Sequence, residues 1–122
     1  AVKWWRGGRA GNADAQYNLG FMYANGRGVE QDYKKAVERY TKAAEQGYAV
    51  AQFWLGVSCW TGEGTAKDMV KCLAWWILAA KQEYKNAIEW KPEAEAKMSL
   101  EKIAKAEALA KELQKLIEAN KK

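Results

Sequence analysis

Residues 13–47 and 49–83 align without a gap at a constant offset of 36. The first segment is ADAQYNLGFMYANGRGVEQDYKKAVERYTKAAEQG and the second is AVAQFWLGVSCWTGEGTAKDMVKCLAWWILAAKQE. Identical residues stand at Ala15/Ala51, Gln16/Gln52, Leu19/Leu55, Gly20/Gly56, Gly26/Gly62, Gly28/Gly64 and Asp32/Asp68. A period of this length marks a stacked array, because one such unit cannot bury its own apolar face and must pack on the next. Each unit reads as helix, glycine turn, helix. In the first unit Ala15, Leu19, Met22 and Tyr23 share one helical face. Gly20 carries no side chain and lets a neighbouring helix approach, against a helix cost of about 1 kcal/mol. Asn25-Gly26-Arg27-Gly28 ends that helix, Asp32 caps the next or sits in its first turn, and Tyr33, Ala36, Val37, Tyr40 and Ala44 form its inward stripe. The expected fold is therefore all-α: a superhelical solenoid of two full units with capping helices at either end.

The flanks are partial units. Residues 1–12 hold a partial helix, with KWWRGGRAG at 3–11 where the second helix of an upstream unit would lie. The repeats occupy 13–48 and 49–84, and 85–122 supplies a terminal first helix and a long capping helix, all within one domain. Ala87, Trp90 and Ala94 are expected to face inward on the terminal helix, and Pro92 predicts a kink or break there. Ser99 caps the last helix, whose Ile103, Ala106, Ala110, Leu113 and Ile117 recur at helical spacing.

Composition narrows the function. The chain has no histidine and two cysteines, which removes the usual general base, the usual zinc ligand and any Cys–His or Ser–His pair. Carboxylates such as Glu45, Glu63, Glu83 and Glu89 are scattered and form no acid/base constellation. The Gly-x-Gly turns follow helices rather than strands, so they fail the context test for a phosphate loop. No metal or cofactor is expected, and an enzyme is not. Lys plus Arg exceeds Asp plus Glu by 20 to 15, and the excess is dispersed. Lys3, Arg6 and Arg9 make too small a footprint for nucleic-acid binding. No run of about 18 apolar residues exists to enter a membrane.

The run A-x-A-Q-x-x-L-G-x-x-Y-x-x-G-x-G-V-x-x-D-Y-x-x-A-x-x-x-Y-x-x-A-A-E-Q-G, at Ala13 to Gly47, resembles the Sel-1-like repeat, a relative of the tetratricopeptide repeat. The likeness covers residues 13–83 well and the flanks loosely. It implies a right-handed solenoid whose first helices line a concave face, acting as an adaptor or scaffold for proteins or peptides. Bacterial members would place it in the cytoplasm or periplasm. A cysteine-rich branch is linked to β-lactams, but Cys59 and Cys72 lack that branch's spacing, so the activity is not carried over. The first unit keeps closer to the pattern than the second, where Met22-Tyr23 becomes Ser58-Cys59 and Ala36 becomes Cys72. That unevenness leaves open a natural member or an engineered binder on a repeat scaffold.

By analogy with tetratricopeptide grooves, Tyr17, Phe21 and Asn25 of the first unit and Phe53, Val57, Trp60 and Thr61 of the second are the expected partner-binding strip. Asp14, Ala24 and Val50 complete it. Aromatic side chains provide large, stiff contact areas, and helices of about 12 residues give a groove roughly 18 Å long, enough for a short helix or peptide. Trp60, which replaces the small Ala24, is the leading candidate. Of the seven tryptophans, Trp75 and Trp76 are expected in the core, while adjacent Trp4 and Trp5 cannot share one buried stripe. A second possibility is a small apolar ligand in a Trp-lined pocket between Gly7-Gly8 and the groove. Cys59 and Cys72 are expected to be buried thiols, with a disulfide between them as the alternative.

Overall fold

The computed structural model describes residues 12–120 and resolves them into six helices. These are α1 (Ala13–Asn25), α2 (Tyr33–Ala44), α3 (Ala49–Thr61), α4 (Met69–Lys81), α5 (Lys85–Ala96) and α6 (Leu100–Asn120). No strand occurs among the described residues. The upstream partial helix, with Trp4, Trp5, Gly7 and Gly8, lies outside them, as do the last two lysines.

The two units close by the same local chemistry. Asn12 Oδ1 accepts from the Ala15 N–H at 3.1 Å to start α1. Asp32 and Asp68 cap α2 and α4, accepting from the Lys35 and Lys71 N–H groups at 3.1 and 3.0 Å. Their own N–H groups reach back to the Tyr23 and Cys59 carbonyls at 2.9 and 2.8 Å, which ties each second helix to the end of its first. Gly26 and Gly62 end α1 and α3 at φ 66° and 81°, a left-handed conformation that costs glycine little. Ser99 caps α6 through the Lys102 N–H at 3.2 Å, as its position predicts.

Glycine also sets the distance between paired helices. A Cβ at Gly20 would stand 2.8 Å from the Tyr40 ring, and one at Gly56 would overlap the Trp76 indole. Gly64 does the same between units: a Cβ there would strike the Tyr33 carbonyl and come within 2.9 Å of Val37 Cγ2. The second unit's turn thus rests on the main chain that opens α2.

One buried polar residue ties the stack together. Gln52 has no exposed surface. Its amide donates to the Ala44 carbonyl at the end of α2 (3.2 Å), and its Oε1 accepts from Gln82, just past α4 (3.1 Å). A first-helix side chain therefore satisfies a carbonyl at the end of α2 and holds a side-chain amide just past α4. Gln52→Leu keeps most of the volume and loses both bonds. We expect it to lower stability by about 1–2 kcal/mol, read as an earlier chemical-denaturation midpoint; an unchanged midpoint would show the bridge to be dispensable.

Helix α4 is the centre of the described structure, packing on α3, α5 and α6. Here the terminal cap departs from the repeat. Helix α5 starts where a third first helix would, 36 residues after Ala49. Helix α6 then packs chiefly on α4 and runs back across the second helices of both units. Ala110 and Ile117 join the core cluster of Ala43, Ala44, Trp75 and Leu78, and the Asn120 side chain donates to the Glu45 carbonyl past the end of α2 at 3.1 Å. At 21 residues, α6 is about 31 Å long, enough to cross both units. Helix α6 covers the second-helix side of both units.

Three inward assignments differ from the sequence reading. Tyr33 is 40% exposed, because the first turn of α2 lies at the mouth of a groove rather than beneath α1. Trp90 is 45% exposed and meets Phe53 and Trp76 edge-on instead of being sealed in. Met22 is also exposed. Nor does Pro92 break α5, which continues from Lys85 to Ala96. Pro92 and Ile88 both lie on the exposed side, where water can take the carbonyl that proline leaves without a donor.

Candidate functional site: an aromatic groove between the units

A cavity of about 240 Å³ opens where α1 and the start of α2 face α3. Tyr40, almost fully buried, forms its floor. Phe21 and Tyr33, 36% and 40% exposed, stand at the rim, and Trp54 and Val57 project from α3. The polar lining is Asn25, Ser58 and Glu63. Asn25 donates to the Phe21 carbonyl (2.8 Å), and the Tyr33 hydroxyl accepts from Gln31 (3.2 Å), so the rim is braced by local bonds.

Phe21, Ala24, Asn25 and Val57 of the expected strip meet in this cavity; Asp14, Tyr17, Val50, Phe53, Trp60 and Thr61 are not among its lining. Tyr17 stands behind it, stacked on Tyr40 at 5.7 Å and tilted against Tyr48 at 5.6 Å, with Phe21 6.2 Å away. Burial raises the Tyr17 and Tyr40 phenols, and it pushes Tyr48 up to about 12 with help from the neighbouring Asp14 carboxylate. The cluster is therefore neutral at physiological pH and offers ring faces rather than charge. Phe53 is a correction: it is 2% exposed, stacked on Trp76 and edged by Trp90, so α5 has sealed it into the core. Thr61 is exposed at the end of α3 and turns to Glu63, whose N–H donates to its hydroxyl at 3.2 Å.

Trp60 shows why only one groove remains. Its counterpart is Ala24, which leaves the first groove open, whereas Trp60 lies over Trp76 at 5.5 Å and 19°, filling the equivalent space between α3 and α5. The Lys97 ammonium sits 5.4 Å from the centre of the Trp60 ring. The second groove thus holds the chain's own side chains, with Trp60 half-buried against Trp76.

Trp54, Tyr33 and Glu63 belong to the groove and were not in the expected strip. Comparing the two units carries the missing signal: Trp54 replaces Asn18 and Glu63 replaces Arg27. Exchanges of that size and charge mark positions that the common fold does not fix.

The cysteines offer no nucleophile. Both are buried free thiols, so the disulfide is not formed. Burial pushes Cys59 up to about 11 against the pull of Lys71, and burial with the adjacent Cys59 and Asp68 raises Cys72 further. The reactive thiolate is disfavoured at both. Among the described residues no cluster of three potential metal ligands occurs, and no helix is long and apolar enough to cross a membrane.

Similar solved structures share this architecture. A protective antigen of uropathogenic Escherichia coli displaying an SLR fold is 31% identical and superposes with a TM-score of 0.83 over 88% of this chain and 23% of its own. A Sel1 repeat protein from Oxalobacter formigenes is 42% identical with a TM-score of 0.65, over 66% of this chain and 33% of its own. The chain thus spans a quarter to a third of these proteins. No curated protein sequence matches it. The Sel1 repeat profile matches residues 13–48 and 49–84, the two units whose caps, glycine contacts and glutamine bridge build the groove, and the chain belongs to the Sel1 repeat family.

Proposed function

We propose that the chain is a peptide-binding segment of an interaction scaffold and that its site is the groove between the two units. Sel1 repeat proteins generally mediate protein–protein interactions as scaffolds. The observation that carries the finer reading is the open first groove. Phe21, Tyr33, Trp54 and Val57 present aromatic and apolar surface there, while the long cap α6 is spent on the opposite side. Stiff aromatic rings with a few polar groups at the edge are the usual composition of a binding hot spot. Among the described residues no cluster of three potential metal ligands occurs, and we read the groove as a recognition surface.

The repeat itself suggests the test. Trp60 fills the second groove at the position where Ala24 leaves the first empty. Ala24→Trp should block the first groove without removing any core residue. Peptides selected by display on the parent chain are expected to bind this variant at least about tenfold more weakly, a loss of about 1.4 kcal/mol, with helical circular dichroism unchanged. Equal binding to parent and variant would move the site elsewhere.

A further inference from the structure

The groove's lining is unusual in charge as well as in shape. The chain carries an excess of five positive charges, yet the groove's sole charged lining group is acidic, Glu63. Among the described residues Glu63 makes no salt bridge, and its only side-chain hydrogen bond is a long 3.5 Å contact to Thr61. Four aromatic side chains, Phe21, Tyr33, Tyr40 and Trp54, line the same cavity. A carboxylate beside several ring faces is the environment that favours an organic cation, whose charge is attracted by both the acid and the ring quadrupoles.

The second groove shows such an arrangement already filled. There the Lys97 ammonium lies over Trp60, which stacks on Trp76, the counterpart of Tyr40. Among the described residues Lys35 over Tyr23 is the other pair of this kind, and it lies outside the first groove. The first groove therefore keeps the aromatic frame and adds an acid, but among the described residues no cation lines it. We infer that it recognises a basic side chain, arginine or lysine, of the bound segment, with Glu63 as the charge partner and Trp54 and Tyr33 as the ring faces. About 240 Å³ accommodates one long side chain rather than a helix face. This inference rests on the groove being the peptide site, and it adds what the peptide must carry.

The test is an NMR titration of the full chain with N-acetyl-arginine amide, N-acetyl-lysine amide and the neutral isostere N-acetyl-citrulline amide. The indole N–H signal of Trp54 is the reporter. Arginine and lysine amides are expected to shift it saturably, with citrulline at least about fivefold weaker, and Glu63→Gln should bring arginine down to the citrulline level. Equal binding of citrulline and arginine, or an arginine response untouched by Glu63→Gln, would overturn cation recognition. So would the absence of any saturable shift with arginine. If peptides selected on the parent are still lost with Ala24→Trp, the groove stands as the site and only its preference for a cation has failed. If Ala24→Trp has no effect either, both readings fail.

Discussion

Gly56→Ala is expected to cost the chain about 2 kcal/mol, seen as an earlier denaturation midpoint at unchanged m value. Inside a helix this exchange normally gains about 1 kcal/mol, so the sign alone is informative. The new methyl would overlap the Trp76 indole nitrogen, lie 2.5 Å from Trp76 Cδ1 and stand 3.2 Å from the Cys72 carbonyl oxygen. Trp76 has nowhere to go. It is fully buried, stacked by Phe53 and by Trp60, and its indole N–H donates to the Phe53 carbonyl at 3.0 Å. The backbones of α3 and α4 must then separate. Gly20→Ala is the internal control. Its methyl meets the edge of Tyr40 at 2.8–2.9 Å, a milder overlap that should cost clearly less. A fully stable Gly56→Ala variant would refute the close-packed pairing of α3 and α4.

Trp76→Ala is expected to have the largest effect, about 3–5 kcal/mol. That is a large share of the total stability of about 5–15 kcal/mol typical of a domain. The substitution empties the position on which Phe53, Trp60 and Trp90 all converge. Should this variant fail to fold, Trp76→Phe keeps a ring and loses the bond to the Phe53 carbonyl, at about 1–2 kcal/mol. The two sites share one contact, so their effects should not add: in a Trp76→Ala background, Gly56→Ala should cost little or even stabilise. Additive losses would mean that Gly56 acts through something other than the indole.

How much was legible in the sequence follows from which features are local. The glycines, the Asp32 and Asp68 caps and the 36-residue offset act within a turn or between adjacent helices, so they recur as letters at fixed spacing. The groove was only half legible. Phe21, Asn25 and Val57 lie where an analogy with concave faces puts them. Trp60 does not, because the analogy fixes a position and not whether the side chain there fills the space or leaves it. Phe53 was misplaced for a related reason: α5 covers it, and helix-to-helix cover depends on packing beyond the unit. The course of α6 was hidden in the same way, although the second unit carries its trace. Trp75 stands where the first unit has Arg39, an apolar residue that makes sense once Leu109 and Leu113 of α6 lie beside it. Glu63 counted as one of several scattered carboxylates because a single carboxylate has no periodicity; that it lines one cavity with four aromatic residues is visible only in the fold.

The resting of Gly64 on the Tyr33 carbonyl has a consequence for how the groove meets a ligand. Side chains in contact can exchange rotamers and let an interface widen; main chain pressed on main chain has no such freedom. Tyr33 is itself a wall of the groove, so the aperture is set by the same touch that sets the angle between the units. On the proposed reading, an incoming segment would meet a slot already cut to width, and the conformational entropy lost on binding would fall mainly on the segment. Recognition of this kind discriminates by fit and is expressed chiefly in how long a ligand stays rather than in how fast it arrives.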